Sequence, residues 1–89
     1  MTHAELVAEL RCVDGLVDVT GGRSDRPNFH LRKQPYLHFH QTREGEIYAD
    51  VKVKAGPRAD FEPVWASNPT EREALLRRIR KHVRSITRR

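Results

Sequence analysis

Hydrophobic residues change their spacing along the chain, and those changes divide it into elements. Near the N-terminus Leu6, Val7 and Leu10 fall on one stripe at helical spacing, while Glu5, Glu9 and Arg11 face away. Thr2 and Glu5 precede the stripe with capping-box spacing, in which each side chain satisfies an orphan amide of the other's backbone. The pattern predicts a helix over roughly residues 3–12. Asp14-Gly15 ends it, because glycine accepts the left-handed backbone that closes a helix. The β-branched run from Leu16 to Thr20 reads as a first strand, and Gly21-Gly22 through Pro27 as a loop.

From Asn28 to Lys54 the period becomes two, the spacing of strands with one buried face. Phe29 and Leu31 alternate with His30 and Arg32; Leu37 and Phe39 with Tyr36, His38 and His40; Ile47, Ala49, Val51 and Val53 with Tyr48, Asp50, Lys52 and Lys54. The breaks at Lys33-Gln34-Pro35 and at Thr42 to Glu46 are short enough for hairpins, so these strands are expected to be antiparallel neighbours. Ala55-Gly56-Pro57 ends the third of them. Phe61 to Ala66 reads as a further short strand, placed at the sheet edge by Pro63, which cannot donate to a ladder.

Asn68-Pro69-Thr70-Glu71 is a helix start: asparagine at the N-cap, proline at the first helical position, glutamate at the third to complete a capping box. Leu75, Leu76, Ile79, Val83 and Ile86 then share one face, and Arg77, Arg78, Arg80, Lys81 and Arg84 the other. The expected fold is α+β: a two-layer sandwich in which an antiparallel sheet of about four to five strands carries an N-terminal and a C-terminal helix on the same face. Phe29, Leu31, Leu37, Phe39, Ala49 and Val51 should be buried under Leu6, Leu10, Leu75, Ile79 and Val83, leaving the other sheet face uncovered. With 89 residues the chain supports one core, so residues 1–89 read as a single domain with a frayed basic tail at 86–89.

Charge changes this picture at one place. Residues 1–70 hold nine Lys/Arg against ten Asp/Glu, whereas residues 71–89 hold eight against two, so the net +5 belongs to the C-terminal segment. No apolar run approaches the ~20 residues of a membrane span, and the first residues lack the basic and apolar stretches of a signal peptide. A cytoplasmic protein with no membrane partner is the expectation. Cys12 is the single cysteine, which excludes an intramolecular disulfide and a four-thiolate zinc site within one chain; it is expected to sit inert near a helix end.

Candidate chemistry lies on the uncovered sheet face. Hairpin registers that keep the apolar positions together pair Leu31 with Leu37, Phe29 with Phe39, Phe39 with Ala49 and Leu37 with Val51. On the opposite face they align His30, His38 and Asp50 in one row and Asn28, His40 and Tyr48 in the next. Opposed Cβ atoms are ~4.5 to 5.5 Å apart, so imidazoles and a carboxylate come within mutual reach, and two histidines with an acid are a ligand set for zinc or iron. The plainer reading is a solvated or partner-covered face; no metal and no cofactor is expected. The spacing His38-x-His40 with Glu44 matches the first cupin motif, but Arg32 and Val51 stand where that motif has glycines and no second motif follows. Two terminal helices also do not belong to a jelly roll, and the cupin reading is rejected.

The succession Phe29-His30-Leu31-Arg32, Tyr36-Leu37-His38-Phe39-His40, Ala49-Asp50-Val51-Lys52 and the Leu/Arg-rich closing helix resembles the small bacterial luciferase-like domains of unknown function over about residues 10–86. Thr20-Gly21-Gly22-Arg23 stands where those domains carry an Arg-Phe-Gly-Gly-like element. The resemblance implies the same helix–sheet–helix fold and a polar site at His38, His40 and Asp50. A second candidate site is the basic helix face, where Arg77, Arg80, Lys81 and Arg84 are placed to contact phosphates of nucleic acid. No phosphate loop, stacking motif or zinc finger accompanies it, and the acids Glu71 and Glu73 at the helix start with cations toward its end also suit the helix dipole. The leading expectation is a non-enzymatic binding or interaction module that uses the outer sheet face in a homodimer or against a protein partner. Nucleic-acid binding through the helix and a metal-dependent or acid–base enzyme at the His/Asp cluster are the alternatives.

Overall fold

A helix precedes and a helix follows five antiparallel strands in the computed structural model, which describes residues 1–21, 24–53 and 60–87. Helix α1 (His3–Arg11) starts where the spacing of Thr2 and Glu5 places it: the Glu5 amide donates to Thr2 Oγ1 at 3.1 Å and the Thr2 amide to Glu5 Oε1 at 2.9 Å. Cys12 caps its C-terminus, and Gly15, at φ +96°, turns the chain into β1 (Leu16–Asp18). Strands β2 (Asn28–Leu31), β3 (Gln34–Gln41), β4 (Ile47–Lys52) and β5 (Phe61–Trp65) follow in a meander of spatial order β1-β2-β3-β4-β5. Helix α2 (Pro69–Thr87) closes the chain.

Both helices lay their apolar stripes on one sheet face. Leu6, Val7 and Leu10 of α1 and Leu75, Leu76, Ile79, Val83 and Ile86 of α2 form one cluster with Leu16, Phe29, Leu31, Leu37, Phe39, Ala49 and Val51 of the sheet, all buried. Phe29, Leu31, Leu37, Phe39, Ala49 and Val51 are therefore inside as expected, whereas Ile47 of the same alternation is only partly buried and Val53 is exposed.

The β3–β4 hairpin has the expected register. Phe39 lies opposite Ala49, Leu37 opposite Val51, and the connection is the five-residue turn 42–46, closed by the Thr42 amide on the Glu46 carbonyl at 2.8 Å. The β2–β3 hairpin differs. Its turn consists of Arg32 and Lys33, both left-handed at φ 54° and 66°, so Leu31 pairs with Gln34 rather than Leu37. A two-residue turn of this hand matches the twist of the strands it joins. Continued without interruption, that register would put Phe29 opposite Tyr36 and turn Leu37 outward. A bulge between Phe29 and His30 prevents this: Phe29 pairs with Leu37 and Asn28 with His38. Tyr36 is the extra residue. Expected on the outer face, it is instead 1% exposed, and its hydroxyl lies 2.8 Å from His82 Nδ1 of α2. Burial pushes the Tyr36 phenol up to about 12, with Arg78 opposing the shift.

Other local expectations are corrected by packing. Asn68 Oδ1 accepts from the Glu71 amide at 2.8 Å, but Glu71 Oε1 reaches back to the Ser67 amide at 2.9 Å, one residue before the N-cap, so the capping box is offset. Of the tail expected to fray at 86–89, Ile86 and Thr87 still belong to α2, with Ile86 buried on the helix stripe and Arg32 Nη2 donating to its carbonyl at 2.7 Å; residues 88–89 lie outside the described residues. Lys52, placed on the solvated face by alternation, is buried and donates from Nζ to Gln34 Oε1 at 3.2 Å, whereas Val53 lies past the end of β4 and is exposed. The Ala55-Gly56-Pro57 terminator and the Gly22-Arg23 part of the glycine element lie outside the described residues.

Candidate functional site

The sheet face turned away from the helices carries the candidate site. Strand pairing orders its outward residues in two cross-strand rows. One runs Asn28, His38, Asp50, Pro63; the next runs His40, Tyr48, Trp65. His38 opposite Asp50 and His40 opposite Tyr48 are as the alternation predicts. His30 is not in the His38–Asp50 row, because the two-residue turn and the bulge shift β2 and bring Asn28 there; His30 pairs with Val17 on one side and Pro35 on the other.

Within the rows the rings pack on one another. The His40 ring stacks on Tyr48 with centroids 5.1 Å apart, and Tyr48 meets Trp65 edge-on at 5.7 Å. The His38 ring stacks on Phe61 at 5.2 Å across β4 and meets His40 edge-on at 6.4 Å. Diagonally across the β3–β4 pair, His40 Nε2 stands 3.0 Å from Asp50 Oδ2. Burial lowers the His38 pKa, His40 and His30 nearby lower it further, and Asp50 works in the opposite direction. Among the described residues no three His, Cys, Asp or Glu side chains converge on a point where an ion would sit.

Trp65 and Phe61 belong to this cluster and were absent from the residues singled out by sequence. The signal was present: Phe61, Pro63 and Trp65 alternate with Glu62 and Val64, and continuing the β4 register across to β5 puts the first three on the outer face. Trp65 is 49% exposed and Phe61 38%; Val17 at 57% and Val19 at 49% lie at the other side of the same face, on and just beyond β1.

The basic helix face is partly engaged by the rest of the fold. Arg80 Nη2 lies 2.6 Å from Glu9 Oε2 on α1, and Arg78 Nη2 lies 2.7 Å from Glu62 Oε2 on β5. Arg77, Lys81 and Arg84 are exposed. Arg80 and Arg84 also line a cleft of about 300 Å³ between the C-terminal parts of the helices, together with Glu9, Cys12 and Asp14, so charges of both signs face it. No described helix is long and apolar enough to cross a membrane.

Comparison of the sequence and structure with protein-family models, curated proteins and solved structures finds no match.

Proposed function

We propose that this protein is a binding domain whose outer sheet face is a protein-recognition surface. The carrying observation is the ring cluster of His38, Phe61, His40, Tyr48 and Trp65 on a face that neither helix covers. Aromatic rings concentrate binding energy because they bury much area while losing few rotamers, and Trp and Tyr dominate the centres of protein interfaces. The stacking bears on the kind of partner. In the His40–Tyr48 and His38–Phe61 pairs one face of each ring is taken by its neighbour, which leaves less ring surface for stacking a nucleobase.

The sheet edge is a poorer docking place than the face. The Ala66 amide donates to the Ile47 carbonyl and the Val53 amide to the Asp60 carbonyl, so even-numbered residues of β5 bond to β4 and odd-numbered ones face the free edge. Pro63 therefore stands mid-edge without an N–H, interrupting any strand added there.

Site-specific photocrosslinking in the cell tests the reading. A benzophenone side chain at Val17 or Pro63, on the outer face, should give discrete crosslinked species, and the same group at Ala74 or Arg77 of α2 should not. Crosslinks confined to the helix positions, or none from the outer face, would refute it.

A further inference from the structure

We infer that the occupant of the outer sheet face is a second copy of this chain, packed sheet against sheet about a twofold axis running along β3; this rests on reading that face as a protein-recognition surface. Charge supports self-pairing. The outward positions of the strands carry one carboxylate, Asp50, already beside His40, and one ammonium, Lys52, which is 6% exposed. The net charge of +5 instead resides mainly on α2, behind the sheet. Sheets pack ~10 Å apart and a helix layer adds about another 10 Å on each side, so the two basic helices end roughly 30 Å apart, several times the ~8 Å screening length at physiological salt. Docking through the helices would bring like charges together; docking through the sheets keeps them as far apart as the molecule allows.

Shape supports the axis. The sheet order places bulky Phe61 and Trp65 on one edge strand and the smaller Val17 at the opposite edge, with Val19 just beyond it. A twofold rotation along the central strand lays the β5 edge of each copy over the β1 edge of the other, and by the strand registers Phe61 then faces Val17 and Pro63 faces Val19, as a self-complementary interface requires. Five strands ~4.8 Å apart and about five residues tall at ~3.3 Å give a projected face of roughly 400 Å² per copy. Relief from standing side chains adds to this, and the total approaches the ~1,200 Å² at the low end of specific interfaces, consistent with association in the micromolar range.

The same axis brings His38 and His40 of one copy onto those of the other. Among the described residues, the remaining titratable groups on the face are His30 on β2 and Tyr48, Asp50 and Lys52 on β4; the outward residues of β5 and of the β1 edge are Phe61, Pro63, Trp65, Val17 and Val19. One Asp50 per copy faces three histidines, so acid adds more positive charge than the interface carboxylates neutralise.

Sedimentation of the purified full chain over roughly 1 µM to 1 mM tests this. The mass should rise from 10.4 kDa toward twice that value at neutral pH. Lowering the pH to about 5.5 should weaken association about tenfold, or ~1.4 kcal/mol. Val17→Lys and Phe61→Glu, which the strand registers put at one level, should each be folded and monomeric, because Val17 is 57% and Phe61 38% exposed. Mixed together they should associate, since one edge then pairs Lys with Glu and the other keeps the native contact. A wild-type chain that stays monomeric throughout, or a mixture that fails to associate, would overturn the proposal. If outer-face crosslinks to another protein still form in the cell, the recognition reading survives and only self-pairing falls; without outer-face crosslinks both fall.

Discussion

Substituting Lys33 by glycine should stabilise the fold, although it deletes a side chain from the tightest turn in the sheet. Lys33 holds φ 66° and Arg32 φ 54°, a left-handed pair that an L-residue occupies at a cost of ~1 to 2 kcal/mol each. Glycine removes that cost but gives the unfolded chain more freedom, worth ~0.5 to 1 kcal/mol in the other direction. The balance for Lys33→Gly is a gain of about 0.5 kcal/mol, or ~2 to 4 °C in midpoint for a domain of this size. Arg32 supplies the internal control. Its guanidinium donates to the Ile86 carbonyl at 2.7 Å, tying the hairpin to the end of α2. A charged hydrogen bond contributes ~1.5 to 3 kcal/mol at most and less when partly exposed, so Arg32→Gly loses roughly 1 kcal/mol more than it gains in comparison with Lys33→Gly. Thermal and urea melts of the two variants at low protein concentration read the difference. If Lys33→Gly is destabilised as much as Arg32→Gly, the left-handed two-residue turn is not what sets this hairpin.

Gly15→Ala should destabilise by ~1 to 3 kcal/mol in a urea titration, because φ +96° is strained for alanine and the new Cβ would stand 3.3 Å from Leu31 Cδ1 and 3.4 Å from Thr87 Cγ2. Asn68→Ala should cost about 1 kcal/mol by the same assay, since it removes the acceptor of the Glu71 amide at the start of α2. The lowered His38 pKa means that the unfolded chain takes up this proton first as the pH falls, so stability should drop from the unfolded value of ~6.5 downward and level off below the folded one. His38→Gln should flatten that part of the stability–pH curve of the monomer; an unchanged slope would show that His38 is not among the groups responsible.

The element order, the α1 capping box, the core residues and the β3–β4 register were legible in the sequence because each depends on neighbours in the chain or on a strict alternation. Period two states which residues share a face, and the need to bury Phe39, Leu37, Ala49 and Val51 together leaves one register for that hairpin. The β2–β3 hairpin obeyed the same rule by another route. A two-residue turn with a bulge and a three-residue turn without one both keep Phe29, Leu31 and Leu37 inside, so the hydrophobic pattern cannot choose between them. Tertiary packing chose: with the bulge, Tyr36 joins the core beside His82, Arg32 reaches the end of α2, and Asn28 instead of His30 stands opposite His38. Four residues of the candidate site were therefore readable, namely His38, His40, Tyr48 and Asp50 on one face of β3 and β4. The ring contacts with Phe61 and Trp65 were not, since they need the register of β5 on β4, which the alternation alone leaves open.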